Sequence, residues 1–399
     1  MQKFFSFLVF FTLLCAEGKS QFYSNKAIVD AENAIVGASR LELYLPLLEN
    51  KNVAVIANQT SVFNSTHLID TLLNKNVNIK KIFTPEHGFR GTADEGALIN
   101  NSIDEKTRLP IISLYGKNKK PNSEQLNDID VLVFDLQDVG TRFYTYISTM
   151  TYIMEAAAQN DIPVIILDRP NPNGFYIDGP ILEKENSSFV GLHPVPIVYG
   201  LTIGEYAQMV NGEYWLKDSL QCNLTIIPLG NYNRNNIYEL PVKPSPNLPN
   251  WESVYLYPSL CFFEGTPVSV GRGTEFPFQV YGHPMIQGNH SFMPKQAEGR
   301  AKPLLCDTEC FGENLITYAL DYKENKNELN LTWLINAYNQ LKEQGTFFNN
   351  FFIKLSGTKE LQLQIEKGLS ENEIRESWKD GLENYKSIRA KYLLYKDFE

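Results

Sequence analysis

The sequence predicts an α/β protein: a Rossmann-like, mostly parallel sheet with helices on both faces, followed by a smaller C-terminal α+β domain. Three observations predict it. Short apolar runs alternate with helical patterns from about residue 37 to 230. Each run ends in a loop dense in polar and charged side chains. The texture then changes at Pro241-Val-Lys-Pro-Ser-Pro-Asn-Leu-Pro249, which is too proline-dense to be a helix. Strands that are apolar on both faces belong to a parallel sheet covered on both sides.

The elements follow in order. Val53-Ala-Val-Ile-Ala57 reads as a buried strand, and His67 to Lys75 as the helix after it. Ile79 to Phe83, Pro110 to Leu114 and Asp130 to Phe134 are the next three strands. Thr145 to Gln159 has helical spacing, with Ile147, Met150, Ile153 and Met154 on one side. Pro163 to Leu167 is a fifth strand and Val195 to Val198 a sixth, with a helix from Ile203 to Val210. Beyond the proline segment, Tyr255 to Tyr281 reads as loop-rich and aromatic. Helices are predicted near Glu313 to Lys323, Leu331 to Glu343 and Asn372 to Tyr392. Ser370-Glu-Asn-Glu373 has the capping-box pattern that opens the last of them. The domains are thus expected at 37–240 and 250–399.

The 399-residue chain is 43% hydrophobic and 21% charged, ordinary for a globular protein. Its net charge of -10, without a long basic cluster, argues against a nucleic-acid partner, because phosphate backbones are repelled. Residues 1–20 read as a signal peptide. A basic start, Met1-Gln-Lys3, precedes an apolar run from Phe4 to Leu14, and small residues suited to cleavage follow. The run is too short to span a bilayer, and no later segment has the roughly 18 apolar residues a membrane helix needs. The expectation is export, periplasmic or secreted, with lipidation of Cys15 as the alternative. The other cysteines are Cys222, Cys261, Cys306 and Cys310. Cys306 and Cys310 could close a small disulfide loop, but they make a poor zinc site without a nearby His.

In open α/β sheets, ligands bind beyond the carboxyl ends of the strands. The loops Asn58-Gln-Thr60, Pro85-Glu-His-Gly88, Tyr115-Gly116, Asp135 to Arg142, Asp168-Arg-Pro-Asn171 and Tyr199-Gly200 therefore point to one shared site. Within it, Glu86, His87 and Arg90 share a Gly-flanked turn. Asp135, Gln137, Asp138, Arg142, Tyr144 and Tyr146 lie in one strand-to-helix passage. In the second domain, Glu264 and Arg272 read as a lid or wall facing the first. Gly271-Arg272-Gly273 lacks the spacing of a dinucleotide or phosphate loop, so no cofactor is expected.

Four segments carry a resemblance: Thr84-Pro-Glu-His-Gly-Phe-Arg-Gly91, Asp135-Leu-Gln-Asp-Val-Gly-Thr-Arg-Phe-Tyr-Thr-Tyr146, Asp168-Arg-Pro-Asn-Pro-Asn-Gly174 and Glu264-Gly-Thr266. They resemble the exo-β-N-acetylmuramidase family, NamZ, over nearly the whole chain beyond the leader. The resemblance implies a Rossmann-like catalytic domain and an auxiliary C-terminal domain with the site between them. It also implies release of N-acetylmuramic acid from non-reducing ends of peptidoglycan fragments. Glu86 is then the leading catalytic candidate, with His87 and Asp135. Asn58, Arg90, Gln137, Arg142, Tyr144, Asp168, Arg169, Tyr199, Glu264, Thr266 and Arg272 are expected to bind substrate.

The residue chemistry agrees with that expectation. Glycoside cleavage needs a protonated carboxylic acid at the leaving oxygen. Arginine forks suit the lactyl carboxylate that distinguishes muramic acid from glucosamine. Two other classes compete. One is a non-catalytic exported protein that binds peptidoglycan or sugars. The other is a metal-dependent hydrolase using Asp135, Asp138 and Asp168.

Overall fold

The computed structural model describes residues 34–85, 89, 102–297, 301–321 and 327–398. In chain order the strands are β1 (Asn52–Ala57), β2 (Val62–Phe63), β3 (Thr66–His67), β4 (Asn78–Thr84), β5 (Ser102–Ile103) and β6 (Pro110–Ser113). They continue with β7 (Val131–Asp135), β8 (Val164–Leu167), β9 (Leu224–Ile227), β10 (Val280–His283), β11 (His290–Phe292) and β12 (Cys310–Asn314). Among the described residues the central sheet runs β5-β6-β4-β1-β7-β8-β9. Its pairs are parallel except β5 with β6. The chain starts at β1, moves outwards through β4 and β6, then returns to β7 beside β1. The strand order therefore reverses between β1 and β7, the position at which open α/β sheets bind their ligands.

Period-two alternation assigns the faces. Ala54 and Ile56 join one buried cluster with Leu132, Phe134, Val164 and Ile166. Val53, Val55 and Ala57 join another with Val131, Val133, Ile165 and Leu167. Both faces are therefore covered, which is why these strands lack a polar side. The helix Leu68–Asn74 contributes Leu68, Ile69 and Leu72 to the second cluster. The helices Tyr146–Gln159 and Ile203–Gly212 pack in the first. Phe262, Phe352, Trp378 and Tyr385 from the C-terminal region belong to that same cluster, so one continuous core runs across both regions.

The C-terminal region holds the antiparallel sheet β10-β12-β11 and several helices. The helix Glu371–Arg389 opens with the predicted capping box at Ser370 and Glu373. Helices also form at Thr332–Leu341, Asn350–Ser356 and Glu360–Glu366; the last two are absent from the sequence reading.

Four expectations need correction. Val195–Val198 is buried and apolar but is not a sheet strand; Val198 bridges Thr141 and Asp178 outside the sheet. The last parallel strand is instead β9, whose edge position leaves Thr225 exposed and breaks the apolar signal. The stretch after Tyr255 begins inside a helix, Trp251–Leu260, because Asn250 and Ser253 form a capping box. Pro258 lies near its end, where only one turn remains to be disrupted. Glu313 closes β12, and the helix nearby is short, Ile316–Leu320. Cys222, Cys261, Cys306 and Cys310 are all free thiols, so the Cys306–Cys310 loop is open.

Candidate active site

Glu86, His87 and Arg90 lie outside the described residues; of their motif Thr84, Pro85 and Phe89 are described. β4 ends at Thr84, Pro85 is buried, and Phe89 is 4% exposed. Phe89 packs edge-on against His67, with ring centroids 4.8 Å apart. His67 Nδ1 accepts from the Ile69 amide at 3.2 Å, so Nε2 carries the proton and donates to the Asn58 carbonyl at 2.9 Å. Phe89 therefore lies beside His67, which is bonded to the loop after β1.

Most of the polar side chains at this edge support its loops. Asn58 is fully buried; its Nδ2 donates to Tyr146 Oη at 2.7 Å, and its Oδ1 accepts from the amide and hydroxyl of Thr60. Asp135, at the end of β7, is fully buried and holds Arg169 bidentately, at 2.6 and 2.9 Å. A carboxylate fixed this way positions the crossing between the β7 and β8 loops. Gln137 Nε2 bridges the carbonyls of Asp138 and Pro170. Asp168 Oδ1 accepts from the amides of Arg169 and Gly204, and its Oδ2 from Thr202 and Tyr395. Tyr199 donates to Asp138 Oδ2, which also accepts from the Gly140 amide.

Burial pushes two of these carboxyls up to about 7. For Asp138, the hydrogen bonds from Tyr199 and Gly140 oppose the shift. For Asp168, burial dominates and Glu205 adds to it, while Tyr395, Gly204 and Thr202 oppose it. Asp135, Asp138 and Asp168 thus have separate partners. Among the described residues no group of three or more His, Cys, Asp or Glu side chains could hold a metal ion.

Arg142 is fully buried. Nη1 donates to Pro180 and Val195 carbonyls at 2.8 and 2.6 Å, and Nη2 to Leu355 and Ser356 at 3.0 and 2.6 Å. It joins the first domain to the last turn of the helix Asn350–Ser356. Burial lowers its pKa to about 9.

A contact path leads from the β1 loop to the second domain. Tyr146 meets Tyr144 edge-on at 4.8 Å, and Tyr144 meets Tyr257 at 6.2 Å. Tyr257 meets Phe278 at 4.9 Å, and the Arg272 guanidinium lies 5.1 Å over the Phe278 ring. Arg272 pairs with Glu264, and both side chains are about a quarter exposed. Glu264 is carried by the turn Cys261–Gly265, which rests on the helix Asn350–Ser356; a Cβ on Gly265 would come within 2.5 Å of Phe352 Cα. Thr266 closes this turn by donating to the Phe263 carbonyl at 2.8 Å. Glu264 and Arg272 are the described wall residues that retain solvent access. Sequence reading missed Tyr257 and Tyr395: one lies in a segment read as loop, and the other reaches Asp168 across 227 positions.

Residues 53–252 match the family described as "Exo-beta-N-acetylmuramidase NamZ, N-terminal", and residues 255–395 its C-terminal counterpart. A Bacillus subtilis protein named "Peptidoglycan beta-N-acetylmuramidase NamZ" is 39% identical over 378 residues, covering 88% of this chain and 89% of the relative. Two solved structures of DUF1343 family proteins from Bacteroides fragilis are also similar. One has a TM-score of 0.84 and 47% identity over 92% of this chain and 99% of its own. The other has a TM-score of 0.79 and 30% identity, over 91% and 99%.

Proposed function

Because the chain belongs to the exo-β-N-acetylmuramidase NamZ family, a family of glycoside hydrolases, we propose that it releases N-acetylmuramic acid from non-reducing ends of peptidoglycan fragments, with Glu86 as general acid. One observation carries the assignment to Glu86. In sequence it follows the end of β4 by two residues, β4 pairs with β1 next to the reversal of strand order, and its sequence neighbours Pro85 and Phe89 are buried. The other carboxylates singled out in the first domain have buried partners: Asp135 holds Arg169, Asp138 holds Tyr199, and Asp168 holds Thr202 and Tyr395. A general acid must be protonated at the moment of bond cleavage, and a closed cleft favours this by desolvating the carboxyl.

Recognition of the lactyl carboxylate falls to Arg90 and Arg272, since Arg142 is occupied by four carbonyls. Glu264 and the tyrosines of the contact path form the opposite wall. We also read the chain as exported through its N-terminal leader. Mass spectrometry of the exported form should then find the mature N-terminus between about Cys15 and Gln21.

The test of the chemistry uses a chromogenic β-N-acetylmuraminide and the full chain. Glu86→Gln keeps size but cannot cycle a proton, so kcat should fall by about 10²–10⁴-fold at unchanged melting temperature. Loss of melting temperature with kcat retained would make Glu86 a loop-stabilising group instead. Inhibition by EDTA would favour the metal-dependent alternative, and sugar binding without turnover the binding-protein alternative.

A further inference from the structure

The C-terminal tail ends on the carboxyl edge of the central sheet. It runs on from the helix Glu371–Arg389 and is anchored from inside the first domain, by the fully buried Glu205 and Arg234. Glu205 Oε1 accepts from the amides of Leu394 and Tyr395 at 2.9 and 3.3 Å, and from Arg234 Nη2 at 2.7 Å. Arg234 Nε donates to the Lys396 carbonyl at 2.9 Å. Arg389 holds Asp397 through two bonds of 2.7 Å.

The Tyr395 hydroxyl joins two loops. It accepts from the Leu229 amide at 2.8 Å, just after β9, and donates to Asp168 Oδ2 at 2.6 Å, just after β8. Its ring meets Tyr232 edge-on, with centroids 5.1 Å apart. Asp168 has little room to move. A Cβ on Gly204 would lie 2.7 Å from its Cγ, and one on Gly37 2.6 Å from its amide nitrogen. From Asp168 the contacts continue along the sheet edge. Its Oδ1 accepts from the Arg169 amide at 2.9 Å, and Arg169 holds the Asp135 carboxylate at the end of β7. The Asp135 carbonyl accepts from Ser61 Oγ in the loop after β1, and that oxygen accepts from the Asn58 amide at 3.0 Å. One path therefore runs from the tail through the loops of β8, β7 and β1, adjacent strands of which the last two flank the reversal of strand order.

We propose that Tyr395 is a positioning residue for the glycosidase reaction: through Asp168 it fixes the Arg169 backbone and the crossing of the β7 and β8 loops, and so shapes the strand edge at which substrate is held. The inference rests on the muramidase reading above. Close-packed, hydrogen-bonded groups have few alternative arrangements, so losing one link displaces the next. A displacement of about 1 Å in a reacting constellation costs about 10²-fold in rate. Asp168 also makes the link sensitive to pH. Burial raises its pKa to about 7 and Glu205 adds to this, while the hydrogen bonds from Tyr395, Gly204 and Thr202 favour the carboxylate and oppose it. The other charged or titratable groups facing it are Arg169, paired with Asp135, Arg234, paired with Glu205, and Tyr232. Removing the Tyr395 hydroxyl takes away a bond to the ionised form, so the Asp168 pKa rises further.

The test uses the full chain and a chromogenic β-N-acetylmuraminide. Tyr395→Phe removes the hydroxyl and keeps the ring. Tyr392→Phe is the matched control: its hydroxyl donates to Glu213 Oε1 at 2.8 Å, at the C-terminal end of the helix Ile203–Gly212 and away from Asp168. Well below both melting temperatures, kcat should fall by about 10- to 100-fold in Tyr395→Phe and stay near wild type in Tyr392→Phe. The acid limb of the kcat pH profile should move to higher pH in Tyr395→Phe alone. Unchanged kcat in Tyr395→Phe, with wild-type turnover intact, overturns the proposal and leaves the muramidase reading standing. An equal loss of kcat in both variants, or a loss in Tyr395→Phe with the acid limb in place, makes the hydroxyl an ordinary stabilising contact and also overturns it. A wild-type chain without turnover removes the muramidase reading, and the proposal with it.

Discussion

Replacing Asp135 separates support from chemistry. The carboxylate is fully buried and meets Arg169 through two bonds of 2.6 and 2.9 Å, while Arg169 is itself 2% exposed. Asp135→Asn removes the negative charge and turns an amide N–H towards a guanidinium N–H. Breaking a buried pair from one side costs about 3–5 kcal/mol, because the remaining charge loses its partner. Unfolding entropy is about 2.1 cal/mol/K per residue, or about 0.8 kcal/mol/K for 399 residues. The melting temperature should therefore fall by about 4–6 °C. Removing both charges together, Asp135→Leu with Arg169→Met, should recover most of that loss, because no orphan charge remains. Calorimetry on both variants gives the stability, and the chromogenic muraminide gives kcat on the same preparations. The reasoning is refuted if Asp135→Asn melts like wild type and loses kcat by about 10²-fold or more; Asp135 would then act in the chemistry.

Two further substitutions follow from the same buried network. Asp138 has a folded pKa of about 7, above that of an unfolded Asp, so the folded state holds the proton over a wider range. Its contribution is full below about pH 4 and is lost as pH rises through about 7, at up to about 1.4 kcal/mol per unit. Denaturation at pH 5 and pH 8 should show a smaller stability difference in Asp138→Asn than in wild type, and an equal difference refutes the shift. Arg142→Met leaves the Pro180, Val195, Leu355 and Ser356 carbonyls without that donor, and urea denaturation should show a loss of at least about 3 kcal/mol. A loss below about 1 kcal/mol would mean that the tie between the domains is not stabilising.

What the sequence determined by itself was the layered α/β architecture and the edge at which chemistry gathers. Both come from local patterns. A doubly apolar run such as Val53–Ala57 has no solvent face to offer, so it needs cover on both sides, and here it has it. The helix caps were legible for the same reason, as Ser370 and Glu373 lie three residues apart and satisfy each other's neighbourhood. What the sequence left open is long-range. Asp135, Arg142 and Asp168 look alike as polar residues beyond strands, but their partners lie 34, about 40 to 214, and as many as 227 positions away. Only the tertiary structure decides that Asp135 meets a guanidinium and that Arg142 ends on a distant helix. Val195–Val198 failed for a related reason: an apolar run reports burial, and burial does not say whether the backbone pairs with the sheet or beside it. Strand β9 escaped notice in the opposite way, because an edge position exposes Thr225 and removes the signal that the inner strands carry.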